Sequence, residues 1–219
     1  MNSPSDILTP LQQKVLDLLF KESWFQKTFY LTGGTGLAAF YLFHRYSEDL
    51  DFFTHEEDLF PVEGVMQEVG KKNNLSIQQI QKSPYFLRYL VEGELKVDVV
   101  GDIPFRVEVP FLKDGIVLDT LKNIAVNKVC AILGRWDSKD YVDLYFILKE
   151  HSFDIFELLS LGQQKDGGLE PFVWADLIAG VKNFRLLPRM IKPVSLQELQ
   201  DFFLKLRDQI LDGINPLKK

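Results

Sequence analysis

Leu31-Thr32-Gly33-Gly34-Thr35 and, a little further on, Asp49-Leu50-Asp51-Phe52-Phe53 are the two short stretches that decide how this chain folds. The first follows the apolar run Phe29-Tyr30-Leu31, which suits a strand, and it stops at a glycine pair where the backbone turns tightly without a Cβ penalty. A helix start beyond such a turn presents backbone N–H groups and a positive helix end, a place where phosphate is held. The second stretch alternates charged and apolar residues as a strand does, so Asp49 and Asp51 project to one face. Two carboxylates parked side by side repel unless something positive lies between them, and oxygen-only ligands suit Mg²⁺ or Mn²⁺. Gly-Gly-Thr alone is a weak signal. Followed by Asp-x-Asp on the next strand, it describes a phosphate cradle facing a metal site.

Working outward, Thr9-Pro10-Leu11-Gln12 has the pattern of a capping box with proline in the first helical position, predicting a helix to about residue 22. Residues 37–44 and 61–72 suit two more helices. Three segments of period two (75–81, 85–91 and 94–100) are separated by Ser83-Pro84 and Glu92-Gly93, the pattern of an antiparallel meander. From Asp119 the texture becomes helical, with Asp119 or Thr120 capping a helix to about 133 and Ser138 capping another to about 149. A linker at 163–168, a helix around Trp174, an interruption at Pro188 and Pro193, and a last helix from Ser195-x-x-Glu198 to near Gly213 complete the chain. The expected fold is α+β: a mixed or antiparallel sheet flanked by helices over residues 1–118, then a helical region over 119–219.

Composition bounds the rest. The chain has 219 residues, one cysteine (Cys130) and three histidines without metal-ligand spacing, which excludes a disulfide framework and a zinc ribbon and fits a reducing cytoplasm. No apolar run approaches a membrane span, and the polar start, Met1 to Ser5, does not resemble an export signal. The net charge of −6 argues against a broad basic surface for nucleic acid. Residues 1–119 carry 11 Lys and Arg against 18 Asp and Glu, and residues 120–219 carry 14 against 13, so the acidic excess lies in the front half.

Lys128 follows Leu121 and Ala125 and precedes Ile132 at helical spacing, on or beside an apolar stripe where an uncompensated ammonium is costly, so it needs an anion unless its head escapes to water. Asp140 and Asp143 share a helix face, with Lys139 able to pair Asp143; Asp140 also suits a helix-start charge cluster.

Gly33-Gly34-Thr35-Gly36-Leu37, His44-Arg45-Tyr46-Ser47-Glu48-Asp49-Leu50-Asp51-Phe52-Phe53 and a later block, Asn127-Lys128-Val129, Arg135 and Lys139-Asp140-Tyr141-Val142-Asp143-Leu144-Tyr145, resemble the motifs of the AbiEii/AbiGii nucleotidyltransferase toxins. The resemblance covers roughly residues 30–150. It implies a polymerase-β-type nucleotidyltransferase fold, abortive infection or toxin–antitoxin biology, and phage defence. It implies that Asp49 and Asp51 hold Mg²⁺ (or Mn²⁺), that Gly33, Gly34, Thr35 and Lys128 hold the NTP, and that Asp143 is catalytic or orients Lys128. Asp98, alternating among Val97, Val99 and Val100, is the candidate third metal ligand, its alternative being a strand carboxylate facing solvent. Arg45 and Ser47 are candidate phosphate contacts or surface residues, and His44 suits a hydrogen-bonded, partly buried position better than that of a base.

The expected activity is Mg²⁺-dependent transfer of NMP from NTP to an acceptor, with RNA, such as a tRNA 3′ end, implied by the family's toxin role. The alternatives are transfer to a small molecule or a protein, or a catalytically silent nucleotide-binding module. An antitoxin encoded nearby is implied, without a stable complex. Lys182, Arg185, Arg189 and Lys192 would share one face of an unbroken helix, a footprint for an RNA backbone, although Pro188 argues against continuity. Phe202-Phe203 and Phe172-x-Trp174 suit helix-core packing better than base stacking.

Overall fold

Residues 3–214 are described by the computed structural model; of the polar start, Met1 and Asn2 lie outside them. The chain divides into two compact units, one from residues up to 104 together with 108–121, the other from 105–107 and residues from 122 onward.

In the first unit, Thr9 caps α1 (Pro10–Lys21) through the expected reciprocal pair: the Gln12 N–H donates to Thr9 Oγ1 (3.1 Å) and the Thr9 N–H to Gln12 Oε1 (2.9 Å). After α2 (Ser23–Thr28) comes β1 (Tyr30–Thr32), and α3 (Gly33–Leu37) starts at once. The glycine pair is thus the helix's first turn and not a separate turn before a helix at 37–44. A π-helical segment, Ala38–Leu42, continues α3 until Phe43 ends it in the left-handed region (φ 52°). Then follow β2 (Leu50–Thr54), α4 (Phe60–Asn73), β3 (Ile77–Ser83), β4 (Phe86–Val91) and β5 (Leu95–Gly101), the last three forming the expected antiparallel meander. A hairpin that periodicity did not reveal, β6 (Phe111–Lys113) and β7 (Ile116–Leu118), turns on Asp114-Gly115, both at positive φ, the favoured two-residue geometry.

Among the described residues these seven strands make one mixed sheet in the order β3-β4-β5-β2-β1-β7-β6, parallel at β2/β5 and β1/β7. Register dictates its faces. Leu118, Leu31, Phe52, Val99 and Leu87 are successive partners across five strands, all buried, and they join the hydrophobic cluster of α1 and α4. Phe20 and Phe25 set their rings edge-on against Phe52, at 5.7 and 5.1 Å. Because side chains alternate, the row one residue further along the same strands faces the other way, and that row is polar.

The second unit is helical: α5 (Leu121–Gly134), α6 (Ser138–Glu150), α7 (Ile155–Lys165), α8 (Pro171–Ile178) and α9 (Leu196–Ile214). The cap of α6 is Asp137, not Ser138, since the Asp137 carboxylate accepts the Lys139 N–H. The linker expected at 163–168 starts later, because α7 runs through Lys165, and residues 166–170 separate it from α8. Ser195 Oγ accepts the Glu198 N–H as expected at the start of α9. Trp174 and Phe203 are buried, as helix-core spacing requires, while Phe172 is exposed. Among the described residues no helix is long and apolar enough to cross a membrane.

Candidate active site

The polar row begins with Arg88 on β4, whose Cα partner on β5 is Asp98; the partner of Asp98 on β2 is Asp51, and that of Asp51 on β1 is Thr32. Thr32 then donates its hydroxyl to Asp119 Oδ2 (2.7 Å), just past β7. Four strands therefore place a cation, two carboxylates and a hydroxyl in register on one face, with a further carboxylate at the end of the row. Asp98 does not face solvent: it is 7% exposed and accepts two bonds from Arg88, from Nε (2.7 Å) and Nη2 (2.6 Å). The hydrogen bonds to Asp98 are the main influence holding the Arg88 guanidinium in its charged form; burial opposes it, and the charges of Asp98, Asp49 and Asp51 add to it. All three carboxylates thus act on one guanidinium.

The glycines explain how this row meets the turn. Gly33 has φ +67°, and a Cβ there would lie 2.1 Å from Asp51 Oδ2, so the Asp51 carboxylate lies directly against the Gly33 backbone. A Cβ on Gly34 would lie 2.4 Å from Arg45 Nη2 and 2.9 Å from Ser47 Oγ. Arg45 is accordingly buried (2% exposed), not a surface residue, and donates from Nη1 to the Tyr46 carbonyl (2.9 Å). The hydroxyl of Thr35 donates to the Asp49 carbonyl, and Gln12, itself buried, donates from Nε2 to the Ser47 carbonyl (2.9 Å). The segment carrying Asp49 and Asp51 meets the glycine turn through Asp51, Arg45, Ser47 and the Asp49 carbonyl, and is tied to α1 through Gln12. His44 is fully buried.

Asp49 and Asp51 are both half-buried. Among the described residues no three His, Cys, Asp or Glu side chains gather as a metal-holding group. A carboxylate pair nevertheless fits Mg²⁺, which is bound through one or two carboxylates and completed by water and substrate phosphate, not by an all-protein cage.

In the second unit Lys128 is 6% exposed and finds its anion within the protein: Nζ lies 2.8 Å from Asp140 Oδ1 and 2.6 Å from Asp143 Oδ2, both aspartates being fully buried. Asp143 pairs with Lys128, whose ammonium α5 supplies, and not with Lys139 of its own helix. Asp140 is no loose helix-start charge. It also accepts Arg135 Nε (2.7 Å) and Nη2 (3.0 Å), and although burial opposes its charge, Lys128 and Arg135 together hold its carboxyl below the ordinary aspartate value. Arg88, Asp119, Thr32 and Asp140 went unrecognised as site residues in the sequence. Arg88 was signalled by its place between the apolar Leu87 and Tyr89, which puts it on the outward face of β4.

The basic stripe does not form. Lys182 ends in a 3₁₀ turn (Ala179–Asn183), the chain from Phe184 is non-helical up to Pro188 and beyond, and Lys192 pairs with Glu150 (2.7 Å).

The chain matches the family model described as "Nucleotidyl transferase AbiEii toxin, Type IV TA system" over residues 16–213, well beyond the 30–150 in which its motifs are legible. It is 33% identical over 144 residues to the uncharacterised protein aq_aa25 of Aquifex aeolicus, a match covering 63% of this chain and 66% of that protein, just under two thirds. Three solved structures share its fold: a candidate nucleotidyltransferase from H. pylori (TM-score 0.60, 19% identity, 95% of each chain); JHP933 from Helicobacter pylori (0.53, 21%, 95% of each); and MenT4, a nucleotidyltransferase toxin from Mycobacterium tuberculosis H37Rv (0.51, 15%, 95% of this chain and 84% of that one).

Proposed function

Because the chain belongs to the AbiEii nucleotidyl transferase toxin family, we propose that it transfers an NMP unit from an NTP to an RNA acceptor, a tRNA 3′ end being the form the family's toxin role favours. The acceptor hydroxyl oxygen bonds to the α-phosphorus as the bond to pyrophosphate breaks, and the hydroxyl proton is released to solvent. The observation that carries this reading is the seating of the Asp51 carboxylate directly on the Gly33 backbone, which brings the Asp-x-Asp segment to the glycine turn.

Asp49 and Asp51 would hold Mg²⁺, with Asp98 as third acid once Arg88 yields it. Bound there, the ion would offset phosphate charge and polarise the bond that breaks. Gly33, Gly34 and Thr35 present N–H groups to phosphate, and Arg45 and Ser47, pressed against Gly34, set the height of that turn. Lys128 is assigned to the triphosphate, with Asp143 orienting it. The setting proposed is cytoplasmic, in phage defence, with an antitoxin encoded nearby that forms no stable complex.

The test is incubation with each α-labelled NTP, Mg²⁺ and total RNA. Label should enter RNA, and Asp51→Asn should lose it. Label in a small-molecule or protein fraction alone would move the acceptor class, which the net charge of −6 and the broken basic stripe make the second reading. No transfer, or undiminished transfer by Asp51→Asn, would refute the proposal.

A further inference from the structure

Between α5, α6 and α8 the second unit opens a cavity of about 390 Å³ that the proposed chemistry does not use, within the range of roughly 300–1,000 Å³ typical of ligand sites. Trp136, Arg135, Tyr141, Leu177, Gly180 and Asn183 are among its lining residues. Trp136 is 59% exposed, yet it is not a loose surface ring. It stacks on Phe184 at 5.0 Å and 22°; Phe184 is buried and meets Tyr141 edge-on at 4.9 Å, and Tyr141 in turn meets the fully buried Phe203 at 5.0 Å. An indole fixed from one side by a chain of buried aromatics, and more than half exposed, presents a rigid flat surface outward. Gly180 lies beside the indole's edge: a Cβ there would come into ordinary van der Waals contact with Nε1, at 3.6 Å, and a longer side chain would reach further across the ring.

Carboxylates as well as cations flank the lining residues in sequence (Asp137, Asp140 and Asp176), but Asp140 is buried in its pair with Arg135, and among the described residues the one charged side chain lining the slot is a cation. Arg135 lines it, with 61% of its side chain exposed, and Lys182 and Arg185, both exposed, flank the lining residue Asn183 and the stacking residue Phe184 in sequence. Among the described lining residues there is no carboxylate. A flat aromatic platform with cations at its rim and an amide within it is the combination that takes an unpaired base with its phosphates, because every base offers a π-face while the backbone needs positive charge.

We infer that this slot binds an unpaired nucleobase of single-stranded RNA, stacked on Trp136, with the adjoining phosphates against Arg135, Lys182 and Arg185. The inference rests on the proposed RNA acceptor and locates a holding point for it within the helical unit. Arg135 ties the slot's wall to Asp140, which also holds Lys128, so a strand seated there touches the Lys128 network through a single side chain.

The test is a binding measurement without NTP, so that it does not depend on transfer. A fluorescently tagged ten-nucleotide single-stranded RNA and an abasic strand of the same length are titrated with the full chain, followed by anisotropy. The base-bearing strand should bind at least about ten-fold tighter than the abasic one, and Trp136→Ala should erase the difference, since stacking on an aromatic is worth roughly five- to a hundred-fold per base. Trp136→Phe should keep part of it. Gly180→Leu, which fills the slot while leaving the indole in place, should lose it, and Mg²⁺·NTP binding by calorimetry should be unchanged in all three. Equal binding of the two strands, a discrimination that survives both Trp136→Ala and Gly180→Leu, or competition by a mononucleotide at the oligonucleotide's own strength would overturn the inference. Base-dependent binding without label transfer to RNA would instead refute the acceptor assignment and leave the slot standing.

Discussion

Replacing Lys128 by methionine removes one charge from a buried network while keeping its shape. Asp140 keeps Arg135, but Asp143, fully buried, loses an ammonium 2.6 Å away. Removing one partner of a buried ion pair costs about 3–5 kcal/mol, because the charge left behind has already lost its water. With a urea dependence of about 2 kcal/mol per molar, the unfolding midpoint of this unit should fall by about 2 M. Trp174 is the reporter: it is buried in α8 and its indole donates to the Val129 carbonyl on α5 (2.9 Å), so its fluorescence follows the packing around Lys128. Adding Asp143→Asn to Lys128→Met should recover part of the loss, since the double variant leaves no charge stranded. A single-variant cost under about 1 kcal/mol, or a double variant that costs the sum of the two singles, would refute the reasoning.

Gly33→Ala sets a methyl on Asp51 at a backbone angle that L-residues avoid, so NMP transfer should drop at least about ten-fold while urea stability falls by only about 1–2 kcal/mol. Arg88→Ala removes the cation that engages Asp98 and feels Asp49 and Asp51, so Mn²⁺ should bind more tightly, by several-fold in a titration followed by water-proton relaxation. Asp140 has its folded carboxyl held below the ordinary value of 3.8, so its contribution is complete above that pH and is lost as pH falls through the lower folded value. Urea unfolding at several pH values should therefore show the wild type's advantage over Asp140→Asn constant near neutrality and shrinking only below pH 3.8.

What could be read from the residues depended on whether the signal was local. The Thr9 to Gln12 cap and the meander follow from spacing along the chain, and both are present; Asp51 lies on β2, while Asp49 stands one residue ahead of that strand. The β6/β7 hairpin was obscured because three-residue strands are too short to show alternation, although Asp114-Gly115 marked the turn. Arg88 bound to Asp98, and Thr32 bound to Asp119, depend on strand register, which no spacing within one segment fixes. In the same way, the apolar stripe of α5 showed that Lys128 needs an anion. The resemblance offers Asp143 as a residue that orients Lys128; that Asp140 joins it, with both aspartates fully buried, became visible only once the helices packed.

The central claim is that Asp49 and Asp51 form the metal-holding edge of a nucleotide site. Crystals soaked with Mn²⁺ and a non-hydrolysable NTP analogue test it most directly, through anomalous scattering. The account predicts a Mn²⁺ peak bonded to carboxylate oxygens of Asp49 and Asp51, with analogue phosphates against the Gly33-Gly34-Thr35 backbone. An analogue bound elsewhere in the fold, or bound at the turn with no metal on either aspartate, would contradict it.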